Sequence, residues 1–156
     1  MSNATSPTGH PDPSGRGDAF VPVRPGLFCA PDGTGAIDLI GSRCRECGQE
    51  AFPARGSCPA CFGTRVEPCN LGRSGIVQSF TVVHQAPAGY QGPVPYALAL
   101  VCVGGQVNVL AHLVGRPLAE WHLGDAVSAC GLPLPRDGAT VIAYAFRPDS
   151  PAAAPA

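Results

Sequence analysis

The sequence predicts a mainly β protein in two parts, a small cysteine-rich ribbon followed by a closed five-stranded barrel. Three observations carry this prediction. The chain has 20 glycines and 18 prolines among 156 residues, and both residue types disfavour long helices. Two pairs of cysteines with the same internal spacing lie in its first half. Five short runs of β-branched and aromatic residues follow them, which is the pattern of short strands.

The composition argues against two classes of protein. Charged residues make up 13% of the chain, all ten basic residues are arginine, and the formal net charge is −1. Nucleic-acid binding draws on a surplus of positive charge that this chain lacks. No apolar run approaches the ~18 residues that cross a bilayer, and residues 1–18 lack the apolar core of a signal peptide. We therefore expect a cytoplasmic protein with no membrane partner.

Composition also divides the chain into four segments. Residues 1–24 are polar and rich in Gly and Pro, which predicts a disordered or extended arm. Residues 25–70 contain six of the eight cysteines and form the predicted ribbon. Residues 71–148 carry the strand patterns of the barrel, and residues 149–156 alternate Pro and Ala as a flexible tail.

The two cysteine pairs predict a metal site. Cys44 and Cys47 are three positions apart, Cys58 and Cys61 repeat that spacing, and ten residues separate the pairs. Each pair brings two sulfurs onto one ion, and a hairpin between the pairs completes a tetrahedron. Tetrahedral thiolate sites select zinc or iron, and because nothing else indicates electron transfer we predict zinc. Four protein sulfurs leave no open coordination position, so this rubredoxin-like zinc ribbon has a structural ion.

Glycines near the two pairs are consistent with tight turns. Gly48 and Gly63 stand where such turns favour a residue without a Cβ atom. The four remaining cysteines are interpreted as small apolar residues; they are Cys29, Cys69, Cys102 and Cys130. No motif pairs any of them with a histidine as a nucleophile; the histidines in question are His84, His112 and His122.

The strand patterns predict the barrel. The predicted strands are Ser74–His84, Tyr96–Val103, Gln106–Val114, Ala126–Cys130 and Thr140–Arg147. Gly104-Gly105 joins the second and third strands through a two-residue turn, and Leu118–Leu123 is predicted to form at most one helical turn. Hairpin-linked strands close into a barrel to remove their edges, and five of them fit the OB fold best.

The loop Gln85–Pro95 after the first barrel strand has two interpretations. It is either a stiff connection or a recognition loop, because OB barrels bind partners on the second and third strands and through adjacent loops. Prolines limit the entropy that such a loop loses on docking, and Tyr90 offers a large amphipathic contact. The candidate contacts to a partner or an acyl-CoA channel are Phe80, His84, Tyr90, Tyr96, Arg43 and Arg55.

Together these motifs resemble a known family. The ribbon part of the resemblance is Leu39–Gly48, Phe52–Arg55 and Cys58–Cys61, and the barrel part is Gly75–His84, Gly89-Tyr90 and Pro93–Tyr96. The family consists of small zinc-ribbon and OB-fold proteins that accompany thiolases, thiolase-like acyltransferases and lipid-transfer-protein-like aldolases acting on acyl-CoA. Its members usually begin with a helix ahead of the ribbon, whereas Pro25–Gly35 here is too rich in Gly and Pro for one.

The resemblance implies a non-catalytic subunit rather than an enzyme. In such complexes a thiolase-fold enzyme or aldolase subunit carries the catalytic residues, and the small protein stabilises it and helps to shape the acyl-CoA channel. The chain is then part of a hetero-oligomer and meets the acyl-CoA substrate through its partner.

Other functions remain open on the sequence alone. A free-standing zinc-ribbon and OB protein that binds single-stranded nucleic acid would stack bases on Phe80, Tyr90 and Tyr96. A rubredoxin-like electron carrier would hold iron instead of zinc, and independent acyl-CoA binding or hydrolysis is a further alternative.

Overall fold

The computed structural model describes residues 21–30 and 35–149. These residues form nine strands and one turn of 3-10 helix, Leu118–Glu120, where the sequence predicts a helical turn. The strands are β1 (Phe28–Cys29), β2 (Asp38–Cys44), β3 (Glu50–Ala51), β4 (Val66–Gly72), β5 (Ser74–Val83), β6 (Tyr96–Val103), β7 (Val107–Leu113), β8 (Ala126–Arg136) and β9 (Ala139–Pro148). The predictions for residues 1–20 and 150–156 lie outside the described residues. No helix in the described ranges has the length or apolar character needed to cross a bilayer.

The ribbon is a small antiparallel sheet built around β2. This strand pairs with β1, β3 and β4, and the pairing with β4 runs from Leu39 opposite Gly72 to Cys44 opposite Val66. The sheet thus continues past residue 70, where the sequence divides the ribbon from the barrel. In the described part of the segment Pro25–Gly35 a short strand forms and no helix does.

The five following strands close into a barrel in the order β5-β6-β7-β9-β8. All neighbours are antiparallel except β7 and β9, which pair in parallel through His112 opposite Ala145 and Leu113 opposite Phe146. The mainly β fold class, with an OB-type barrel after a ribbon, is therefore confirmed.

The hairpin β8–β9 is longer than the sequence predicts. β8 continues from Cys130 to Arg136, although Pro133 and Pro135 would interrupt a central strand. Both prolines lie where β8 has β9 on one side only, since β5 pairs with β8 no further along than Ser128. Proline is tolerated at such an edge because no neighbouring strand needs its missing N–H.

Alternation along the barrel strands builds the core. On β6 the inward residues Ala97, Ala99, Val101 and Val103 are all fully buried, as expected for side chains of period two. Trp121, directly after the 3-10 turn, is 3% exposed and belongs to the same cluster.

The ribbon and the barrel share this core. Ile37 and Leu39, at the start of the ribbon sheet, are fully buried among the barrel residues. The backbone continues the junction, since Ala36 forms an antiparallel bridge with Cys130 of β8. On the neighbouring strand β9, Ile142 exchanges two 2.7 Å backbone hydrogen bonds with residues 21 and 23, so the last residues of the predicted arm are extended there.

Candidate metal centre and partner-binding surface

The four predicted cysteines come together at one end of the ribbon. Their Sγ atoms all lie within 4.8 Å of one another. Two separations are shorter, 3.6 Å between Cys44 and Cys61 and 3.5 Å between Cys47 and Cys58. A tetrahedron of sulfurs around an ion at about 2.3 Å has edges of about 3.8 Å. The cluster therefore has the dimensions and the donor chemistry for one zinc ion.

The two cysteine turns have the same backbone hydrogen bonds. In the first turn the N–H of Cys44 donates to the carbonyl five residues later at 2.9 Å, and its carbonyl accepts from the N–H four residues later at 3.0 Å. The second turn, which starts at Cys58, repeats these bonds at 2.8 and 3.0 Å. In each turn the Sγ of the first cysteine also accepts from the N–H two residues later, at 3.4 Å. The turns are therefore equivalent, and Gly48 in the first corresponds to Phe62 in the second.

The glycines of the two turns serve different purposes. Gly48 has φ of 78°, the left-handed backbone that glycine adopts without strain. In the second turn that backbone belongs to Phe62, with φ of 61°, which the sequence analysis does not single out. Gly63 instead leaves room for the carboxylate of Glu46, because a Cβ there would lie 2.7 Å from Cδ of Glu46 and that side chain would have to shift.

Because the four sulfurs lie close together, the pKa values of their thiols differ widely. Backbone N–H groups, first that of Cys61 and then that of Ala60, lower the pKa of Cys58 to about 6, although burial opposes them. The pKa of Cys61 is raised to about 12: the backbone N–H of Gly63 lowers it, but the neighbouring sulfurs, first that of Cys47, raise it more. Four thiolates do not form side by side without a cation, and a divalent ion removes this conflict.

Ion pairs surround the cysteine cluster on the ribbon surface. Three arginines each face a glutamate from another part of the ribbon; the pairs are Arg43–Glu50, Arg45–Glu67 and Arg65–Glu46. Arg43 is one of the predicted partner contacts, and the hydrogen bond that its guanidinium donates to the carboxylate of Glu50 raises the pKa of Arg43. The other predicted contact, Arg55, is exposed, and its backbone N–H donates to Oγ of the buried Ser42 at 3.0 Å.

On the barrel, two of the predicted contact residues meet a third that the sequence analysis does not select. The rings of Tyr90 and Tyr96 are 5.0 Å apart, and His112 lies 4.7 Å from Tyr96 and 6.2 Å from Tyr90. The other two predicted residues lie outside this cluster: Phe80 packs against the core, and His84 is exposed after β5. The β6–β7 hairpin is the signal that could have identified His112. Its register places His112 opposite Leu98, two residues along β6 from Tyr96 and on the same face.

The cluster borders an uncharged outer surface. Strands β5, β6 and β7 contain no Asp, Glu, Lys or Arg. On the outer face, Leu98 and Leu100 are half-buried, while Leu110 is 57% exposed and Ile76 is 41% exposed. An apolar surface without charge is typical of the core of a protein–protein interface.

Tyr90 also lines a cleft of about 300 Å³ between its own loop and the hairpin β8–β9. The loop side includes Gly89 and Gln91, and the hairpin side includes Leu134 and Arg136. Oε1 of Gln91 accepts the backbone N–H of Asp137 at 3.2 Å. The loop is therefore fixed against the hairpin, with Tyr90 between the cleft and the ring cluster.

The remaining cysteines occupy different environments. Cys130 is buried, and burial raises the pKa of its thiol, while Cys69 and Cys102 are half-buried. These three fit the interpretation as small apolar residues. Cys29 is exposed on β1, at the edge of the ribbon sheet, and lies outside the four-cysteine cluster.

A four-cysteine ribbon that shares a core with a closed five-stranded barrel defines the class of zinc-ribbon and OB-fold proteins. Comparison with known families gives the same division, since residues 33–67 match "ChsH2, rubredoxin-like zinc ribbon domain" and residues 70–132 match "ChsH2, C-terminal OB-fold domain". The chain belongs to the DUF35 family. The resemblance stated from the sequence is confirmed.

Relatives and a solved structure extend this comparison. The chain is 32% identical over 111 residues to a DUF35 domain-containing scaffold protein of Methanocaldococcus jannaschii, covering 70% of this chain and 79% of the relative. It is 33% identical over 125 residues to benzoylsuccinyl-CoA thiolase subunit BbsA of Thauera aromatica, covering 79% and 85%. A structure described as "Ltp2-ChsH2(DUF35) aldolase" matches with a TM-score of 0.59 and 26% identity, covering 72% of this chain and 86% of that one.

Proposed function

We propose that this chain is a non-catalytic accessory subunit that binds one structural zinc ion and supports a thiolase-like enzyme or aldolase acting on acyl-CoA. One observation carries the proposal: a sulfur cluster without an open coordination position is joined through a shared core to a barrel with an uncharged outer face. The first feature is suited to structure rather than chemistry, and the second is suited to assembly. The names of the relatives, a scaffold protein and a thiolase subunit, agree with this division.

The ligands of the proposed zinc are Cys44, Cys47, Cys58 and Cys61. When bound, the ion supplies charge compensation and a cross-link. The chain itself orients two of the ligands, since the backbone N–H groups of Glu46 and Ala60 donate to the sulfurs of Cys44 and Cys58. Such a cross-link substitutes for the apolar core that so short a ribbon cannot build.

The carboxylates support the non-catalytic part of the proposal. A carboxylate that acts as a general acid or base must be free to exchange protons at an accessible site. Five of the eight described carboxylates are each paired with an arginine; they are Asp38, Glu46, Glu50, Glu67 and Asp125. These five groups are poorly placed for proton transfer.

The proposed partner-binding surface consists of Tyr90, Tyr96 and the uncharged outer face of β5–β7. Tyr90 is held by ring contacts and by the hydrogen bond from its OH to the carbonyl of Pro93 at 3.3 Å, so little entropy is lost when a partner covers it. An acyl chain or a thioester arm of the partner's substrate could pack against the apolar side chains of this surface. Arg55 on the ribbon offers a bidentate donor to phosphate.

Co-purification tests the proposal. A tagged chain should purify with a thiolase-fold or aldolase subunit, identified by mass spectrometry, and adding the chain to that subunit should raise its activity. Tyr90→Ala should leave the barrel folded and weaken assembly or activity, whereas His122→Ala, at an exposed site outside the loop, should do neither. A strictly monomeric chain that leaves such partners' activity unchanged would contradict the proposal.

We do not propose nucleic-acid binding. Five of the nine described arginines face carboxylates of the same chain, which reduces the charge available to phosphates. The candidate stacking residues Tyr90 and Tyr96 already contact each other. A salt-dependent shift of single-stranded DNA or RNA by the purified chain would reverse this judgement.

A further inference from the structure

The tip of the second cysteine turn exposes an aromatic ring. Phe62 is 80% exposed, a larger fraction than for the other exposed large apolar residues of the described chain, such as Leu123 at 66% and Leu110 at 57%. Pro59 and Ala60 on the same turn are also exposed. The equivalent positions of the first turn carry Arg45 and Glu46, so only the second turn ends in an apolar tip.

The backbone of Phe62 gives no structural reason for an aromatic residue. Its φ of 61° lies in the left-handed region, which is strained for a residue with a Cβ. The equivalent position in the first turn is Gly48, which adopts the same backbone without strain. Neither the ring's exposure nor its backbone conformation stabilises this fold, so the ring and the apolar residues beside it are free to contact a partner.

Paired charges lie on one side of the tip. The carboxylate of Glu46 lies against Gly63, next to Phe62, and accepts from Nε of Arg65 at 3.0 Å. On the neighbouring residue, Nε of Arg45 donates to Glu67 at 2.7 Å. An exposed aromatic ring with satisfied polar groups beside it is suited to act as a binding hot spot with a polar rim.

The turn presents the ring rigidly. The N–H of Phe62 donates to the carbonyl of Cys58 at 3.0 Å, and the N–H of Cys58 donates to the carbonyl of Gly63 at 2.8 Å. The backbone is therefore ordered before a partner arrives, and only the two side-chain torsions of Phe62 are fixed on binding.

We propose that Phe62, flanked by Pro59 and Ala60, is a second docking site that inserts into an uncharged apolar pocket of the partner subunit. This inference rests on the proposed function, and it adds a contact from the ribbon to that from the barrel. Because every described charge at the rim is paired within the chain, the matching pocket carries no net charge.

A second copy of this chain fits the ring less well. The 300 Å³ cleft contains Arg136, and a cleft of about 200 Å³ between β5, β6 and the end of β9 contains Asp149. Neither cleft is therefore the uncharged pocket that the ring would match. The proposed occupant is the partner subunit, and self-association is an outcome of the test.

The test compares two variants with the wild-type chain. Phe62→Gly removes the ring and relieves the backbone, so the melting temperature and the zinc content should stay equal or rise. Its dissociation constant for the thiolase-fold or aldolase subunit that co-purifies with the wild-type chain should rise by about tenfold or more. Leu123→Ala, which removes an exposed apolar side chain elsewhere, should change none of the three quantities.

Four results would overturn the inference. Phe62→Gly binding as tightly as wild type shows that the ring is not an anchor, and the proposed function survives. Loss of zinc or of thermal stability in Phe62→Gly shows that the ring serves the ribbon itself. Dimers of the isolated wild-type chain that Phe62→Gly dissociates show that the occupant is a second copy. Failure of the wild-type chain to assemble, measured first, overturns the proposed function and this inference with it.

Discussion

The ribbon and the barrel are stabilised in different ways. The ribbon, from Asp38 to Gly72, has few buried apolar side chains, and its cysteine end is held by four adjacent sulfurs, with ion pairs on the surface around them. The barrel has a continuous apolar core and no charge on β5, β6 or β7. A metal cross-link stabilises a small fold locally, whereas burial stabilises in proportion to area. The two regions should therefore fail under different perturbations.

The difference is not a complete separation. Ile37 and Leu39 lie at the ribbon end that is far from the cysteines, and both are fully buried in the barrel core. The ribbon is thus fixed at one end by the barrel and at the other by its own sulfurs. We expect loss of the metal to unfold the cysteine end first and to leave the shared core intact.

The largest expected effect is that of Cys47→Ser. Removing one thiolate should release the zinc, because three sulfurs bind the ion far more weakly than four. The zinc content measured by metal analysis should fall from about one ion per chain to none. Hydrogen exchange should lose protection at Cys44–Val66 while β6 and β7 stay protected. Cys29→Ser, an exposed cysteine outside the cluster, is the control and should keep its zinc; zinc retained by Cys47→Ser would contradict the assigned ligands.

The reciprocal change is Phe146→Ala in the barrel. This side chain is fully buried, and such a truncation costs about 3–5 kcal/mol through lost burial and the cavity left behind. Chemical denaturation should show that loss, with zinc content unchanged before the transition. Val94→Ala, at a residue 42% exposed, should change stability little. If Phe146→Ala released zinc under native conditions, the two regions would not be separately stabilised.

What the sequence could predict follows the same division. Cysteine ligands and hairpin strands are encoded by local spacing and by alternation, so Cys44 and its three partners and the run Tyr96–Val103 could be identified from the residues alone. The burial of Ile37 in the barrel could not, because it depends on how distant segments pack. The extension of β8 through Pro133 and Pro135 could not be predicted either, because it depends on which edge of β8 has no neighbouring strand.

The candidate contacts show a similar limit. Tyr90 and Tyr96 could be selected as aromatic residues near a loop, but His112 joins them only through the register of β6 and β7. Phe62 had no signal, because the left-handed position that it occupies is normally filled by glycine. Its importance could be inferred only after the two cysteine turns were found to be equivalent.

A smaller effect is expected for the pH dependence at His112. Burial lowers its pKa below the usual 6.5, and its Nε2 is buried without a hydrogen-bond partner in the described structure. Above that pH the ring is neutral in both states; as the pH falls, the unfolded chain binds the proton more readily and the free energy of unfolding decreases.

His112→Gln should therefore reduce the loss of stability between about pH 7 and pH 5 relative to wild type. Thermal unfolding at several pH values measures the difference. The comparison must be between variants, because cysteine protonation also affects the ribbon in acid. His122→Gln, at an exposed site, should keep the wild-type dependence, and an identical dependence in His112→Gln would show that the ring is not desolvated in the folded chain.

The smallest effect should come from the ion pairs of the ribbon. Arg45 and Glu67 are 66% and 42% exposed, and such pairs contribute less than about 1 kcal/mol. Arg45→Gln should therefore barely change the free energy of unfolding. Arg116→Gln is the matched change in the barrel, where the pair with Asp125 is 20% and 23% exposed and the guanidinium covers Trp121 at 4.8 Å; it should cost more, about 1–3 kcal/mol. If Arg45→Gln lowered the free energy of unfolding as much as Arg116→Gln is expected to, the ribbon would depend on its surface charges. The sulfur cluster would then not be its main support.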